Sequence, residues 1–524
     1  MTDVSPPRSE RFVEYLAVSL AVLGFGVNYL TISALNIAVP HIQSALNASI
    51  SHVQWLLDIY ILVPAVLILV GGTLGDRYGR VRWYLIGQVS FVLGSLASGI
   101  APSVEWLIAF RALQGLGAAL IIPTSLAIIN STVAPERLGR AMGLWGMMLP
   151  VVTMIGPVVG GWLVDNFSWR AAFFLTIPFS ILAFYLAARF VPESFDEQAT
   201  GALDWPGALT LMLGLGGLLF GIIEGPNLGW NNPWIIGTVV MGILGLAAFI
   251  LVEARSSAPM LPLHLFRNRT FTGVNLMTFF TYMGLGITLF ISLNLQQVQG
   301  FTAFLAGLAF LPKEIVNMIA SRASGILTDR IGPIRPLLFG AFAAIAGYLL
   351  YMRPGIEANY WTTFLPAMIV TAIGLGNIVV PQTAAAVAAL PKRYSGIASG
   401  VKTGVTRVGQ MLGIAVFGTA MSLRFQTALT ERTAAIALDA GSRAELMSRA
   451  VNLGATIPPE GLSPTITVAV EEAIRWAFVD AFRDLLLLGA LMMFISFVIL
   501  LALVPIKQPL QQDLAAEPAV PGTD

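Results

Sequence analysis

The sequence predicts an all-α integral membrane protein built from two related halves. Apolar residues make up 56% of the 524 and charged ones only 11%, and the mean hydropathy is +0.80. That balance calls for lipid as the solvent of most side chains. The apolar residues fall in windows of roughly twenty, the length of a membrane-crossing helix, and not in the alternating ten-residue segments of a β-barrel. A charged, glycine-rich stretch also recurs. Gly72-Thr73-Leu74-Gly75-Asp76-Arg77-Tyr78-Gly79-Arg80-Val81-Arg82 is echoed by Gly325-Ile326-Leu327-Thr328-Asp329-Arg330-Ile331-Gly332. Asp76 and Asp329 stand 253 residues apart; Pro135-Glu136-Arg137-Leu138-Gly139 and Pro391-Lys392-Arg393-Tyr394-Ser395 stand 256 apart. Two echoes at nearly one separation read as a duplicated membrane half, an organisation of transporters that bind near the midplane between repeats.

Taken in order, the apolar windows lie near 14–38, 53–74, 83–101, 106–130, 139–164, 171–190, 206–223, 234–252, 270–295, 303–327, 336–352, 360–382, 397–423 and 477–504, fourteen transmembrane helices. The first follows Arg8 and Arg11 and extends to Pro40, too long for a signal peptide, so it reads as a retained span. Placing the N-terminus in the cytoplasm puts Arg77, Arg80, Arg82, Arg137, Arg140, Arg330, Arg335, Lys392, Arg393 and Lys507 inside. The short outer loops then carry only Arg170 and Arg353, as the positive-inside bias requires. The expected division is 1–190 as an N-terminal six-helix half and 191–269 as a linker with two inserted helices lacking the repeated stretch. A C-terminal six-helix half follows at 270–507, then a polar cytoplasmic tail at 508–524. A long outer loop is expected at 424–475, with Val468 to Trp476 as an interfacial amphipathic helix.

Several functional classes are excluded. Net charge is +1 and cysteine is absent, which removes any case for nucleic acid or thiol chemistry. His41, His52 and His264 read as loop residues without a metal-ligand set, and no phosphate loop with Lys-Ser/Thr is present. No enzyme activity, cofactor or metal is expected. The expected partners are the lipid bilayer, a small-molecule substrate and protons, and the expected state is a monomer.

Charges inside the apolar windows are the sharper signal, since each costs about 2.5–3.5 kcal/mol at a helix centre on insertion scales. Those singled out are Asp58, Arg111, Lys313, Glu314, Lys402 and Arg407. Lys313, Asn317, Ser321 and Ser324 share one face of their helix; Lys402, Thr406 and Gln410 share another. Such stripes face a cavity, although structural Lys–Glu or Glu–Arg pairs would also satisfy the pattern. Gly396, Gly400 and Gly404, at intervals of four, read as a close-packing face.

These residues resemble the major facilitator superfamily, and within it the fourteen-helix drug:proton antiporter branch of multidrug exporters. The likeness rests on Gly72–Arg82 between spans 2 and 3, on Arg111-Ala112-Leu113-Gln114-Gly115-Leu116-Gly117 in span 4, and on Gly156-Pro157-Val158-Val159-Gly160-Gly161 in span 5. Trp169-Arg170, Asp204-Trp205 and Leu265-Phe266-Arg267-Asn268-Arg269 are further matches. The resemblance implies two pseudo-symmetric six-helix bundles plus two inserted helices, and export by alternating access at the inner or plasma membrane. It implies gating by Gly72, Asp76, Arg77, Gly79, Arg80, Asp329 and Arg330, with Asp76 approaching the start of span 13, and a leak seal formed by Gly156, Pro157, Gly160 and Gly161. The cavity is then expected to include Thr31, Asn36, Gln114, Asn317, Thr406 and Gln410. One departure bears on mechanism: span 1 ends as Asn36-Ile37-Ala38-Val39-Pro40, but the branch's acidic position reads Thr31. Proton handling must then fall to another acid. The sequence favours Glu314, close to Lys313 and Arg407, with Asp58 as an orienting partner of Arg111. Exchange of amphipathic or cationic compounds for protons is the first reading. Export of one endogenous metabolite, siderophore or organic anion is the alternative that Lys313, Lys402 and Arg407 favour.

Overall fold

In the computed structural model the described residues are 8–196, 203–256, 259–391 and 394–505. The 508–524 tail, Lys507 and the pair Lys392-Arg393 lie outside them. The first half comprises α1 (Arg8–Leu46), α2 (Ile50–Tyr78), α3 (Arg80–Gly99), α4 (Val104–Thr132), α5 (Pro135–Asn166), the single turn α6 (Ala171–Phe174) and α7 (Ile177–Phe190). The inserted pair is α8 (Trp205–Leu228) and α9 (Pro233–Arg255). There follow α10 (Arg269–Gly284), α11 (Thr288–Leu293), α12 (Ala303–Ala309), α13 (Leu311–Ile331), α14 (Ile334–Leu350), α15 (Leu365–Ala388), α16 (Ser395–Thr433), α17 (Ala440–Arg449) and α18 (Pro464–Leu503). Among the described residues, eleven helices are long and apolar enough to cross a membrane by length and composition, with shorter apolar helices at Val151–Asn166 and Ile334–Leu350. Fourteen spans are compatible with this.

Helix starts follow from capping chemistry. Side chains of Ser49, Asp204, Asn232, Asn268, Thr302 and Ser463 accept the first free amides of α2, α8, α9, α10, α12 and α18. The repeated charged stretch is a helix end and not a loop. α2 runs through Tyr78, turns at Gly79 (φ +112°) and restarts as α3 at Arg80. Its counterpart is Gly332 (φ +80°), between α13 and α14. A left-handed backbone favours glycine, and the two elbows are again 253 residues apart. The elbow face is called here the motif face, and the opposite one the far face.

In the first half α2 and α3 pack on α4, and α1 on α5; in the second, α13 and α14 pack on α15, and α10 on α18. The inserted helices meet through Gly214, Gly217, Gly242 and Gly245, where a Cβ would press on facing backbone. α8 touches both halves at the far face. Trp55 Nε1 donates to Glu224 Oε1 (2.8 Å) on the α2 side, and Thr419 Oγ1 donates to the Ile222 carbonyl (2.7 Å) on the α16 side.

Three expectations need correction. The far-face stretch 424–475 is largely helical. α16 and α18 hold 39 and 40 residues, about 60 Å each at 1.5 Å per residue and roughly twice the hydrocarbon thickness. Both project beyond the bilayer, joined by Arg432–Asp480 (2.8 Å) and Arg424–Asp484. Val468–Trp476 is the start of α18, not a separate interfacial helix, because Val470 and Ile474 are buried and Arg432 lies 5.1 Å over the Trp476 ring. His41 lies within α1, and His52 in the first turn of α2, where it completes the Ser49 cap. The span expected at 303–327 is present within Ala303–Ile331, with a one-residue break at Phe310 just before Pro312, which lacks the amide a continuous helix requires.

Candidate functional site

The two halves are joined at the far face by backbone-close packing. Within the first half, Gly156 and Gly160 of α5 press on Ser33 and Ala34 of α1. On the other side of α5, Gly161 meets the Ala303 carbonyl, and the Pro157 carbonyl meets Gly307 of α12. The Asp165 carboxylate caps α12 by accepting from the amides of Ala303 (3.0 Å) and Phe304 (2.8 Å). Further bonds cross between the halves: Gln54 Nε2 to the Ala415 carbonyl (2.7 Å), Gln297 Nε2 to Gln43 Oε1 (3.1 Å) and Gln296 Nε2 to the Ile37 carbonyl (3.2 Å).

One or two turns toward the motif face lies a cavity of about 270 Å³. Its walls include Asn36 of α1, Leu57 and Ile61 of α2, Arg111 of α4, Tyr282 of α10, Lys313 and Asn317 of α13, and Gln410 and Ile414 of α16. Nearer the motif face a second, almost wholly apolar gap of about 180 Å³ separates α2 (Ala65, Leu69) from α16 (Gly400, Gly404). A Cβ at Gly404 would meet nothing within 4 Å, and one at Gly400 would meet only Leu69 at 3.7 Å. In this conformation those two glycines are therefore not a close-packing face, unlike Gly409 and Gly413, which abut the carbonyls of Phe279 and Met283. The far face is sealed, and the cavity lies on the motif-face side of the seal.

The charged side chains are distributed unevenly. Arg111 is fully buried: its Nη1 donates to Gln114 Oε1 (2.6 Å), its Nε to the Leu56 carbonyl (3.2 Å), and its guanidinium lies 3.9 Å over the Tyr60 ring. Gln114 passes the network to Ser95 (2.7 Å). The expected pairing of Arg111 with Asp58 is therefore not made. Asp58 is fully buried, and neither carboxylate oxygen has a hydrogen-bond partner. It lies one turn beyond Gln54, on a stretch of α2 that faces α16 and, through Ser51 and Trp55, α8. Lys313 pairs with Glu314 at 3.0 Å. Arg407, expected beside Glu314, instead lies 5.5 Å over the Tyr29 ring, and Lys402 lies 5.6 Å over Tyr282. Thr31 is buried with an unpartnered hydroxyl, and Thr406 donates back to the Lys402 carbonyl. The three tyrosines were missed in the sequence, where nothing separates them from packing aromatics, because each stands on a different helix from its cation.

At the motif face Asp76 Oδ1 accepts from Arg80 Nε (2.8 Å). The linker is stitched to the elbow: Arg80 N donates to the Ser194 carbonyl (2.9 Å) and Asp196 N to the Asp76 carbonyl (2.7 Å). The Glu193 carboxylate accepts from the amides of Val81 (2.8 Å) and Arg82 (2.9 Å), capping α3. A side chain at Gly79 would collide with that carboxylate. Arg77 lies 5.2 Å over the Tyr78 ring, while Asp329 and Arg330 are exposed.

A multi-pass helical protein with two packed halves, a seal at one face and a polar cavity between them is a membrane transporter and not an enzyme. The chain belongs to the Major Facilitator Superfamily, whose family model matches residues 21–414. It is 32% identical to the multidrug resistance protein Stp of Mycobacterium tuberculosis, over 92% of this chain and 90% of that one. It is 31% identical to the tetracenomycin C resistance and export protein of Streptomyces glaucescens, over 88% and 86%. With the methylenomycin A resistance protein of Streptomyces coelicolor it shares 32% over 76% and 84%. Among solved structures, the fold matches a bacterial homolog of the human lysosomal transporter Spinster in an inward-facing, unoccupied conformation. That match has a TM-score of 0.62 and 19% identity and covers 95% of this chain and 98% of that one. It also matches a D-xylose-proton symporter at TM-score 0.53 and 16% identity, over 78% and 90%. At these identities the structural likeness speaks for the fold alone.

Proposed function

We propose that the protein is a proton-coupled exporter of small amphipathic organic compounds. In this reading residues 1–190 and 270–507 rock about the cavity, 191–269 is an inserted pair bridging them, all fourteen helical segments span a plasma membrane, and both termini and the motif face are cytoplasmic. The far-face seal then marks the inward-facing state. When the motif face closes, Asp76 approaches the start of α16 and Asp329 the start of α5. Each carboxylate gains about 0.3–1 kcal/mol from the helix dipole it meets.

The observation that carries proton coupling is Asp58. A carboxylate wholly removed from water with no hydrogen bond or cation costs several kcal/mol, whereas the neutral acid costs far less. Its surroundings fit the protonated form in this state, and its place between α2, α8 and α16 lies where the halves must move. Glu314 is less suited, because Lys313 already compensates its charge at 3.0 Å. The role that the sequence suggested for Glu314 therefore passes to Asp58. The printed names of the relatives, which concern multidrug resistance and antibiotic export, support outward movement of organic compounds.

The test uses proteoliposomes with an imposed pH gradient. Asp58→Asn is expected to retain solute counterflow but lose gradient-driven accumulation, while Glu314→Gln retains both. The reverse result would return the role to Glu314, and loss of coupling in neither variant would remove both acids from it.

A further inference from the structure

Of the cations in and around the cavity, Lys313 is paired with Glu314, whereas Arg111, Lys402 and Arg407 lack negative partners. Arg111 lines the cavity, is fully buried, and its Nη2 has no hydrogen-bond partner. Lys402 and Arg407, on the facing helix α16, are 8% and 5% exposed. Among the described residues neither these two nor Arg111 forms an ion pair with a carboxylate. Glu314 is occupied by Lys313, and Asp58 bonds to none of them. Tyrosine rings serve the cations instead: Tyr60 lies against Arg111, Tyr29 against Arg407 and Tyr282 against Lys402. The cluster spans the two halves, because Arg407 of α16 lies over the ring of Tyr29 of α1.

A ring face attracts a cation but carries no net charge, so the positive charge of the group is left uncompensated. Buried charges that lack a countercharge are costly. Such intramembrane charges mark substrate or ion pathways, and a ligand can supply the missing charge. Leu57, Ile61, Leu289 and Ile378 line the same cavity, so a bound molecule meets an apolar wall and a cationic cluster together. A cationic compound would meet like charge.

We propose that the cavity binds an amphipathic organic anion, a carboxylate or phenolate on an apolar body, with Arg111 as its direct anchor and Lys402 and Arg407 as the positive field that selects it. This rests on the exporter reading and names its cargo by charge. Nη2 of Arg111 donates to the anionic oxygen, and the ion spans the gap between α4 and α16. The anchor and the field lie in opposite halves, so the ligand itself bridges the elements that move.

Three probes of one body and different charge test it on the purified full-length protein in an uncharged maltoside: 2-naphthoate, 2-naphthylmethanol and 2-naphthylmethylammonium. The carboxylate is expected to bind about tenfold or more tighter than the alcohol, as a charge-assisted hydrogen bond would provide, and the ammonium more weakly than either. Arg111→Gln and Lys402→Gln are expected to shrink that preference toward one by weakening the carboxylate more than the alcohol. Arg111→Lys, which keeps the charge, retains part of it and guards against a misfolded glutamine variant; each variant is checked for monodispersity. Binding of the ammonium equal to or tighter than that of the carboxylate, equal binding of all three, or binding of none overturns the proposal. The same probes in counterflow separate the two readings. Ammonium moved under a pH gradient while naphthoate is ignored leaves the exporter and removes the anion site. Naphthoate bound with none of the three transported leaves the site and removes the exporter.

Discussion

A glycine at the far-face seal and a glycine beside the motif-face gap behave oppositely, although both lie in helices. Gly161 has no room for a Cβ, because the Ala303 backbone of the other half occupies that position; Gly404 faces open space. Gly161→Val forces α5 and α12 apart at a cost of about 1–3 kcal/mol, the usual range for overpacking. That cost falls on the sealed state alone, so the population moves toward a far-face-open form. The expected outcome is a Gly161→Val protein that folds but transports poorly, with a single cysteine at Phe301 reacting faster with a thiol reagent than in the Gly161 parent. Gly404→Ala should leave that rate unchanged. Equal rates in the two variants would mean that the α5–α12 contact is not the seal.

Short helix ends set how firmly whole elements are held, and two of them are capped from another element. Asp165 at the end of α5 holds the first amides of α12, and Glu193 in the linker holds those of α3. Removing such a cap costs about 0.5–2 kcal/mol. In hydrogen exchange, Asp165→Ala is expected to speed exchange at 303–310 without touching 80–85, and Glu193→Ala to do the opposite; a uniform increase in either would indicate global loosening instead. These cross-element caps show where sequence reading stops. The elbows at Gly79 and Gly332 were legible because a positive φ is a local demand that the chain meets with glycine. The helices were legible because lipid requires long apolar runs. The continuation of α16 and α18 beyond the bilayer was not, since residues 424–475 leave the long apolar pattern and are held by buried Phe425, Leu429, Val470 and Ile474 together with pairings such as Arg432–Asp480. At the cavity, Arg111, Lys313, Asn317 and Gln410 were readable as polar residues inside apolar runs. The solitude of Asp58 was not, because partners come from other helices, and neither were Tyr29, Tyr60 and Tyr282.

The whole molecule acquires a direction only when one face is assigned to the cytoplasm. The proposed orientation puts the motif face there on the arginine bias, and the fold separates the two candidate sides cleanly. Ser131 stands at the motif-face end of α4, 3.0 Å from the linker's Ser194, whereas Asn231 precedes α9 and Ala444 lies on α17, both at the far face. All three are exposed, and the chain has no cysteine of its own, so each can be replaced singly and probed in intact cells with a membrane-impermeant maleimide. Cysteines at Asn231 and Ala444 are expected to react, and one at Ser131 only after the membrane is permeabilised. With that pattern, the sealed far face looks outward, the cavity lies toward the cytoplasm, and Asp58 is poised in a state that loads cargo from inside. The opposite labelling would invert the molecule: the same cavity would load from outside, and the direction assigned to transport would fall with it, while the fold and the cationic cluster would stand.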